Sequence, residues 1–154
     1  MHLKFKIIPS NEIKVVIPFV KKMAKVTISD SVLLSRFKEM VNQDYECLGV
    51  YIDEELVGIC GMWFSTRHYC GKSVEIDHLY VIPKLRNKNI GGQIVSWVEK
   101  YAISKGFNAI ELNAYIDNER SQKFYLKQGY KKLGFHFLKP CLLYTSPSPR
   151  DFQV

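Results

Sequence analysis

The 154-residue sequence has no uninterrupted apolar run near the ~18 residues that a membrane-crossing helix needs. It has no C-x-x-C pair, and its four cysteines, Cys47, Cys60, Cys70 and Cys141, are scattered. That distribution reads as reduced, mostly buried thiols rather than a disulfide framework or a zinc site. His68, Cys70, Glu75 and His78 lie close together, but their spacing fits no ligand template, so no metal is expected. Neither common phosphate pattern occurs: there is no G-x-G-x-x-G and no G-x-x-x-x-G-K-S/T. The first residues lack the apolar block of a secretion signal, because Leu3, Phe5 and Ile7 alternate with Lys4 and Lys6 as in a strand. The expected compartment is the cytoplasm, without membrane contact.

A hydrophobic content of 47% is enough for a full core at this length, which is that of one domain. The net charge of +7 suits an anionic partner. Its basic residues are spread along the chain and no nucleic-acid motif appears, so no nucleic-acid partner is expected and a phosphorylated cofactor fits better. Strand signals recur at Leu3–Ile8, Tyr45–Ile52, Leu56–Ser65, Val74–Ile82, Ala109–Tyr115 and Lys131–Leu138. The polar turn Asp53-Glu54-Glu55 joins the second and third into an antiparallel hairpin. Helical signals fall between. Ser10 caps one over 11–25 that Pro18 breaks or kinks, and Ser29 or Asp30 caps another with Val32, Leu33, Phe37, Met40 and Val41 as its stripe. Ile90, Ile94, Trp97, Val98 and Tyr101 mark a long helix ending at Gly106. Asp117 or Asn118 starts the last, which holds Phe124 and Tyr125 and ends at Gly129. The order β-α-α-β-β-β-α-β-α-β predicts an α/β fold, a mixed sheet of about six or seven strands with about four helices.

The stretch L-Y-V-I-P-K-L-R-N-K-N-I-G-G, residues 79–92, joins a strand end, a basic loop and a bare helix start. Free N–H groups and the positive dipole end at a helix start make a site for a pyrophosphate. Gly91 and Gly92 leave the backbone open to close approach, and Arg86 and Lys88 add charge. A polar surface loop before an amphipathic helix would have the same composition.

This stretch resembles the acyl-CoA signature of the GNAT superfamily of N-acetyltransferases, Q/R-x-x-G-x-G/A after a strand ending V-x-P. Arg86 fills the first position and Gly91 the last, while Asn89 stands where the family usually has glycine. Asn is the non-glycine residue that most readily takes φ > 0, so Asn89 is expected to be left-handed. A second segment, Ile110 to Tyr130, resembles the family's N-x-x-A/S-x-x-F-Y-x-x-x-G-F/Y segment, filled by Asn118, Ser121, Phe124, Tyr125, Gly129 and Tyr130. From residue 72 onward, G-K-S-V-E-I-D-H-L-Y-V is similar to the branch that includes aminoalkylphosphonate acetyltransferases and uncharacterised relatives.

The resemblance implies a GNAT-like fold and acetyl-CoA as co-substrate. Strand four would splay from strand five, with the backbone of Leu79, Tyr80 and Val81 meeting the pantetheine arm. A bulge there would aim an N–H at the thioester oxygen. The pyrophosphate would rest on Arg86, Asn87, Lys88, Asn89, Ile90, Gly91 and Gly92. By the two-residue period Glu75, Asp77, Leu79 and Val81 share one strand face, with His78 opposite and packed. Asp77 matches a position that often carries the family base, with Glu75 as second choice; a structural hydrogen bond is the alternative role for Asp77. Tyr125 resembles the tyrosine that protonates the leaving thiolate, and Asn118, a helix cap, often contacts the cofactor. The expected activity is direct acetyl transfer to a primary amine of a small molecule. A protein or peptide acceptor, a longer acyl-CoA, or a non-catalytic acyl-CoA sensor are the alternatives, and a homodimer is conceivable.

The acetyltransferase domain is expected over 1–140. Residues Cys141 to Asp151 read C-L-L-Y-T-S-P-S-P-R-D, a string that one reading frame of a common sequencing adapter also encodes. The segment 141–154 is therefore expected to be an artefactual tail, or else a flexible Ser/Pro tail, without function.

Overall fold

The computed structural model describes residues 2–141, so the tail from 142 on lies outside the described residues. Two compact units emerge: Met1–Met23 with Ile28–Leu112, and Ala24–Thr27 with the chain from Asn113 on.

The first unit is built on one sheet, ordered β1 (Lys4–Ile7), β2 (Tyr45–Ile52), β3 (Glu55–Arg67), β4 (Gly71–Val81) and β5 (Ala109–Leu112). Neighbours are antiparallel through β4, and β5 runs parallel to β4. A parallel pair needs a crossover, and helix α3 (Ile90–Ser104) supplies it. The β2–β3 hairpin turns on Asp53 and Glu54, whose φ values of 49° and 66° match the twist of a two-residue turn.

The first expected helix is in two pieces, a 3₁₀ turn over Ser10–Val16 and α1 over Ile17–Met23. Pro18 sits in the first turn of α1, where a missing N–H leaves no broken bond. Pro9, not Ser10, occupies the cap position, and no side chain caps that turn. Helix α2 (Asp30–Met40) is capped by Ser29, whose hydroxyl accepts from the Val32 N–H at 3.3 Å.

Apolar side chains alternate across the sheet and form two cores. Leu48, Val50, Cys60, Met62, Val74 and Ile76 face α3 and meet Ile90, Ile94 and Val98. Val16, Leu33 and Phe37 cover the opposite face, over Tyr45, Cys47, Ile59 and Tyr80.

The second unit centres on α4 (Glu119–Lys127), capped by Asn118 Oδ1, which accepts from the Ser121 N–H at 3.0 Å. Gly129, at φ 97°, ends it. Lys25 pairs with Asp117 at 3.3 Å and lies over the Tyr115 ring. The strand expected over Lys131–Leu138 is not formed. Leu133, Phe135 and Phe137 alternate as in a half-buried strand, yet they are 89%, 82% and 83% exposed. Alternation expresses a preference; a strand exists only where a partner supplies hydrogen bonds, and none does so here among the described residues. Among the described residues the sheet therefore has five strands, not six or seven. Among the described residues no helix is long and apolar enough to cross a membrane.

Glu54 holds φ 66° with a full side chain. Glu54→Gly is expected to raise the unfolding free energy by about 0.5–1 kcal/mol, the relieved strain exceeding glycine's larger unfolded-state entropy. Urea titration checks this; equal or lower stability would show that the Glu54 side chain contributes more than its strain costs.

Candidate active site

Strands β4 and β5 pair only over Ser73–Ile76 and Ala109–Leu112. From Asp77 to Val81, β4 runs on without β5 beside it. Its other edge stays bound, with Leu79–Val81 paired to Gly58–Cys60 and the Ile82 N–H donating to the Val57 carbonyl at 3.0 Å. Backbone direction alternates along a strand, so the Tyr80 amide also faces β3. The amides of Leu79 and Val81 face the open edge.

Between Met62↔Ile76 and Cys60↔Leu79 the register shifts, so Asp77 and His78 stand together opposite Gly61. This is a β-bulge, lying just before Leu79–Val81 rather than over it. It overturns the expected facing of β4. A regular two-residue period would put Leu79 and Val81 with Asp77 and turn His78 away. The extra residue inverts the alternation. Val74, Ile76, Leu79 and Val81 pack on the α3 side. Glu75, Asp77, His78 and Tyr80 share the other face, where His78 meets Phe37 and Tyr45.

Asp77 is exposed, and its Oδ2 accepts from the Trp63 indole N–H at 3.0 Å. Glu75 is differently placed. Arg67 reaches it at 3.3 Å and reaches Glu111 at 3.2 Å. Glu111 also accepts from Ser73 at 2.6 Å and from the Tyr69 hydroxyl. Partial burial would raise the Glu111 carboxyl, but bonds from Ser73, Tyr69 and Arg67 outweigh it and hold the group below its usual range. Of the two strand carboxylates, Glu75 is committed to an ion pair and Asp77 to a neutral donor.

His78 Nε2 lies 2.6 Å from the Tyr45 hydroxyl. Burial lowers its pKa, against the opposing pull of Asp77, so the ring is neutral near pH 7. Burial pushes the Tyr45 phenol far above its ordinary value, so it keeps its proton. A Cβ on Gly61 would come within 2.2 Å of His78 Nε2; the glycine leaves the space that the imidazole fills.

After a 3₁₀ turn over Pro83–Leu85, the loop folds back. Arg86 Nε donates to the Val81 carbonyl at 3.1 Å, and its guanidinium lies 5.1 Å from the centre of the Tyr80 ring. Asn87 and Asn89 are both left-handed, at φ 66° and 59°, as expected for Asn89 and unforeseen for Asn87. Lys88 between them is not left-handed, and such alternation at a helix start is the backbone pattern from which anion-binding concavities are built. Asn89 occupies the helix cap without a side-chain cap bond. Arg86, Asn87, Lys88 and Asn89 are exposed, whereas Ile90 is buried. A groove of about 420 Å³ continues along α3, lined by Asn89, Gly92, Gln93, Ser96, Trp97 and Lys100, with Phe5 opposite.

In the second unit, Asn118 caps α4, and half-buried Tyr125 touches Phe124 and Tyr130 with ring centres 5.0 and 5.7 Å apart. Sequence reasoning missed Trp63, Tyr45 and Gly61. Gly61 carried the available signal, since an isolated glycine within a strand pattern marks a bulge or a close approach.

Comparison with known proteins agrees with this geometry. The acetyltransferase (GNAT) family matches residues 21–130. An aminoalkylphosphonate N-acetyltransferase of Salmonella typhimurium is 34% identical over 86 residues, 55% of this chain and 56% of that protein. An uncharacterized N-acetyltransferase of Archaeoglobus fulgidus is 31% identical over 101 residues, 62% of this chain and 67% of that protein. The matches span 49% to 67% of the length of the curated relatives compared. Among solved structures, an aminoglycoside N-acetyltransferase in complex with CoA superposes with a TM-score of 0.77 at 16% identity, covering 91% of this chain and 96% of that one. A possible acetyltransferase of Clostridium difficile 630 gives 0.78 at 11% identity, covering 93% and 99%. At such identities these two show the fold alone.

The loop geometry makes a paired prediction. A Cβ at position 92 would lie 2.4 Å from Asn89 Oδ1. Asn89 Oδ1 is the tip of an exposed side chain that can turn away, and alanine is the better helix former. Gly92→Ala is therefore expected to keep the unfolding free energy within about 1 kcal/mol of the parent, with Asn89→Gly in the same chain adding only its own effect. A loss of about 2 kcal/mol or more in Gly92→Ala that Asn89→Gly recovers would show that the Asn89 side chain is held in place.

Proposed function

The chain belongs to the acetyltransferase (GNAT) family, and from that premise we propose that it moves an acetyl group from acetyl-CoA to a primary amine of a small molecule. One observation carries the reading: the open edge of β4 and, one 3₁₀ turn further on, the start of α3 place two sets of backbone donors in a single strand–loop–helix unit. Leu79 and Val81 offer amides to an extended pantetheine arm, with Tyr80 between them. Lys88 to Gly92 offer amides at the start of α3, and Arg86 and Lys88 add cationic side chains for a pyrophosphate. The residues present fit that ligand at both ends.

An alkyl amine is mostly protonated at neutral pH and must lose a proton before it attacks. Asp77 is the proposed base, acting directly or through water, with the Trp63 N–H fixing its carboxylate. Glu75 is the weaker choice, because removing Arg67 from it would leave that guanidinium with Glu111 alone. An amide at the open edge meets the charge that develops on the thioester oxygen as the C–N bond forms. When the C–S bond breaks, Tyr125 is the proposed proton donor to sulfur; that role and the contact from Asn118 rest on their motif. A small acceptor is supported by the aminoalkylphosphonate-acetylating relative and by solved neighbours bound to aminoglycosides or their analogues. A cytoplasmic setting belongs to the same proposal.

The test follows CoA thiol release against a panel of aminoalkylphosphonates, aminoglycosides and simple diamines. Asp77→Asn is expected to lower kcat by roughly 10²–10⁴ while leaving acetyl-CoA affinity unchanged. Full activity in that variant would remove Asp77 from the chemistry. Turnover only with peptide amines would move the acceptor to that class, and binding without turnover on any amine would favour a sensor.

A further inference from the structure

Acyl transfer as described leaves a buried polar pair without a role. The Tyr45 hydroxyl lies 2.6 Å from His78 Nε2, and the two share one hydrogen bond. The other polar atom of the imidazole is Nδ1. That atom is buried and has no partner among the described residues. An unanswered buried polar atom costs about 1–3 kcal/mol, and a phenylalanine in the same space would avoid it. Packing alone is therefore a poor account of a histidine here.

What His78 does hold is the bulge. It stands with Asp77 opposite the single residue Gly61, and the absent Cβ of Gly61 is where its ring sits. Phe37 closes the ring from α2, 5.9 Å away, and Tyr45 ties it to β2. Everything downstream on β4 takes its direction from that extra residue. Without it, the alternation would advance by one. The Tyr80 amide would face the open edge in place of those of Leu79 and Val81. The Tyr80 ring would leave the face on which it meets Phe19 and carries Arg86.

We propose that His78 is a positioning residue for acyl transfer: seated over Gly61 and bonded to Tyr45, it locks the bulge that sends the Leu79 and Val81 amides to the open edge of β4. Its functional meaning rests on the acetyl-transfer reading, whereas the lock itself rests on geometry alone.

Three variants separate the roles. His78→Gln keeps a polar group where Nε2 stood, His78→Phe keeps volume without the bond, and Tyr45→Phe removes the hydroxyl. The readout independent of turnover is amide hydrogen exchange along β4. Wild type and His78→Gln are expected to protect Tyr80 and leave Leu79 and Val81 fast. In His78→Phe and Tyr45→Phe this alternation is expected to blur or invert. Acetyl-CoA affinity is expected to fall at least about fivefold in the same two variants, the equivalent of one lost buried hydrogen bond. Adenosine 3′,5′-bisphosphate, which lacks the pantetheine arm, should bind all four proteins alike. An unchanged exchange pattern and unchanged acetyl-CoA affinity in folded His78→Phe and Tyr45→Phe would overturn the lock. If wild type binds acetyl-CoA but acetylates no amine, the catalytic reading fails. If wild type does not bind it at all, the ligand assignment fails. In either case the exchange pattern alone upholds or overturns the lock.

Discussion

A backbone amide that a sheet leaves unpaired must be answered by water or by a ligand, and β4 leaves such amides between Asp77 and Val81. The rest of the first unit is organised around that open edge. On one side β3 holds the strand in place through Leu79–Val81. At its end Arg86 bonds back to the Val81 carbonyl, so the basic loop begins where the strand stops. The crossover helix α3 then starts beside the same strand, because a parallel β5 can only be reached by way of a helix. Donors for an extended chain and donors for an anion thus belong to one strand–loop–helix unit.

The charges near this edge divide into two kinds. Arg67, Tyr69 and Ser73 converge on Glu111, and Arg67 also holds Glu75. Arg67 is 44% exposed there, so solvent screens both ion pairs and neither is a main source of stability. Burial of residues such as Ile94, at 0% exposure, matters more to stability, since truncating one costs about 2–5 kcal/mol. The network's consequence is positional: it ties the β3–β4 hairpin to β5 where the strands still pair, and it occupies Glu75. Asp77, two residues on and beyond the last β4–β5 pair, keeps an exposed carboxylate with an indole N–H beside it. Two acidic residues on one strand face acquire different chemistry from their neighbours.

Local chemistry was legible in the sequence, and pairing between distant segments was not. The Asp53–Glu54 turn, the Ser29 cap, the Asn118 cap and the left-handed Asn89 each follow from one or two residues. The facing of β4 was misjudged because a two-residue period assumes one residue opposite one residue. The bulge is written in a different strand, at Gly61. The expected strand over Lys131–Leu138 failed for a related reason, its alternation being local and its partner not. Glu75 stood second to Asp77 by motif position alone, because Arg67 and Glu111, which separate the two chemically, are brought alongside only by the fold.

The most direct measurement is a calorimetric titration of acetyl-CoA into the protein. Binding at a single saturable site, weakened by substitution of Arg86, is the result expected if the open edge and the loop serve one ligand. Absence of binding, or binding indifferent to Arg86, would contradict that assignment.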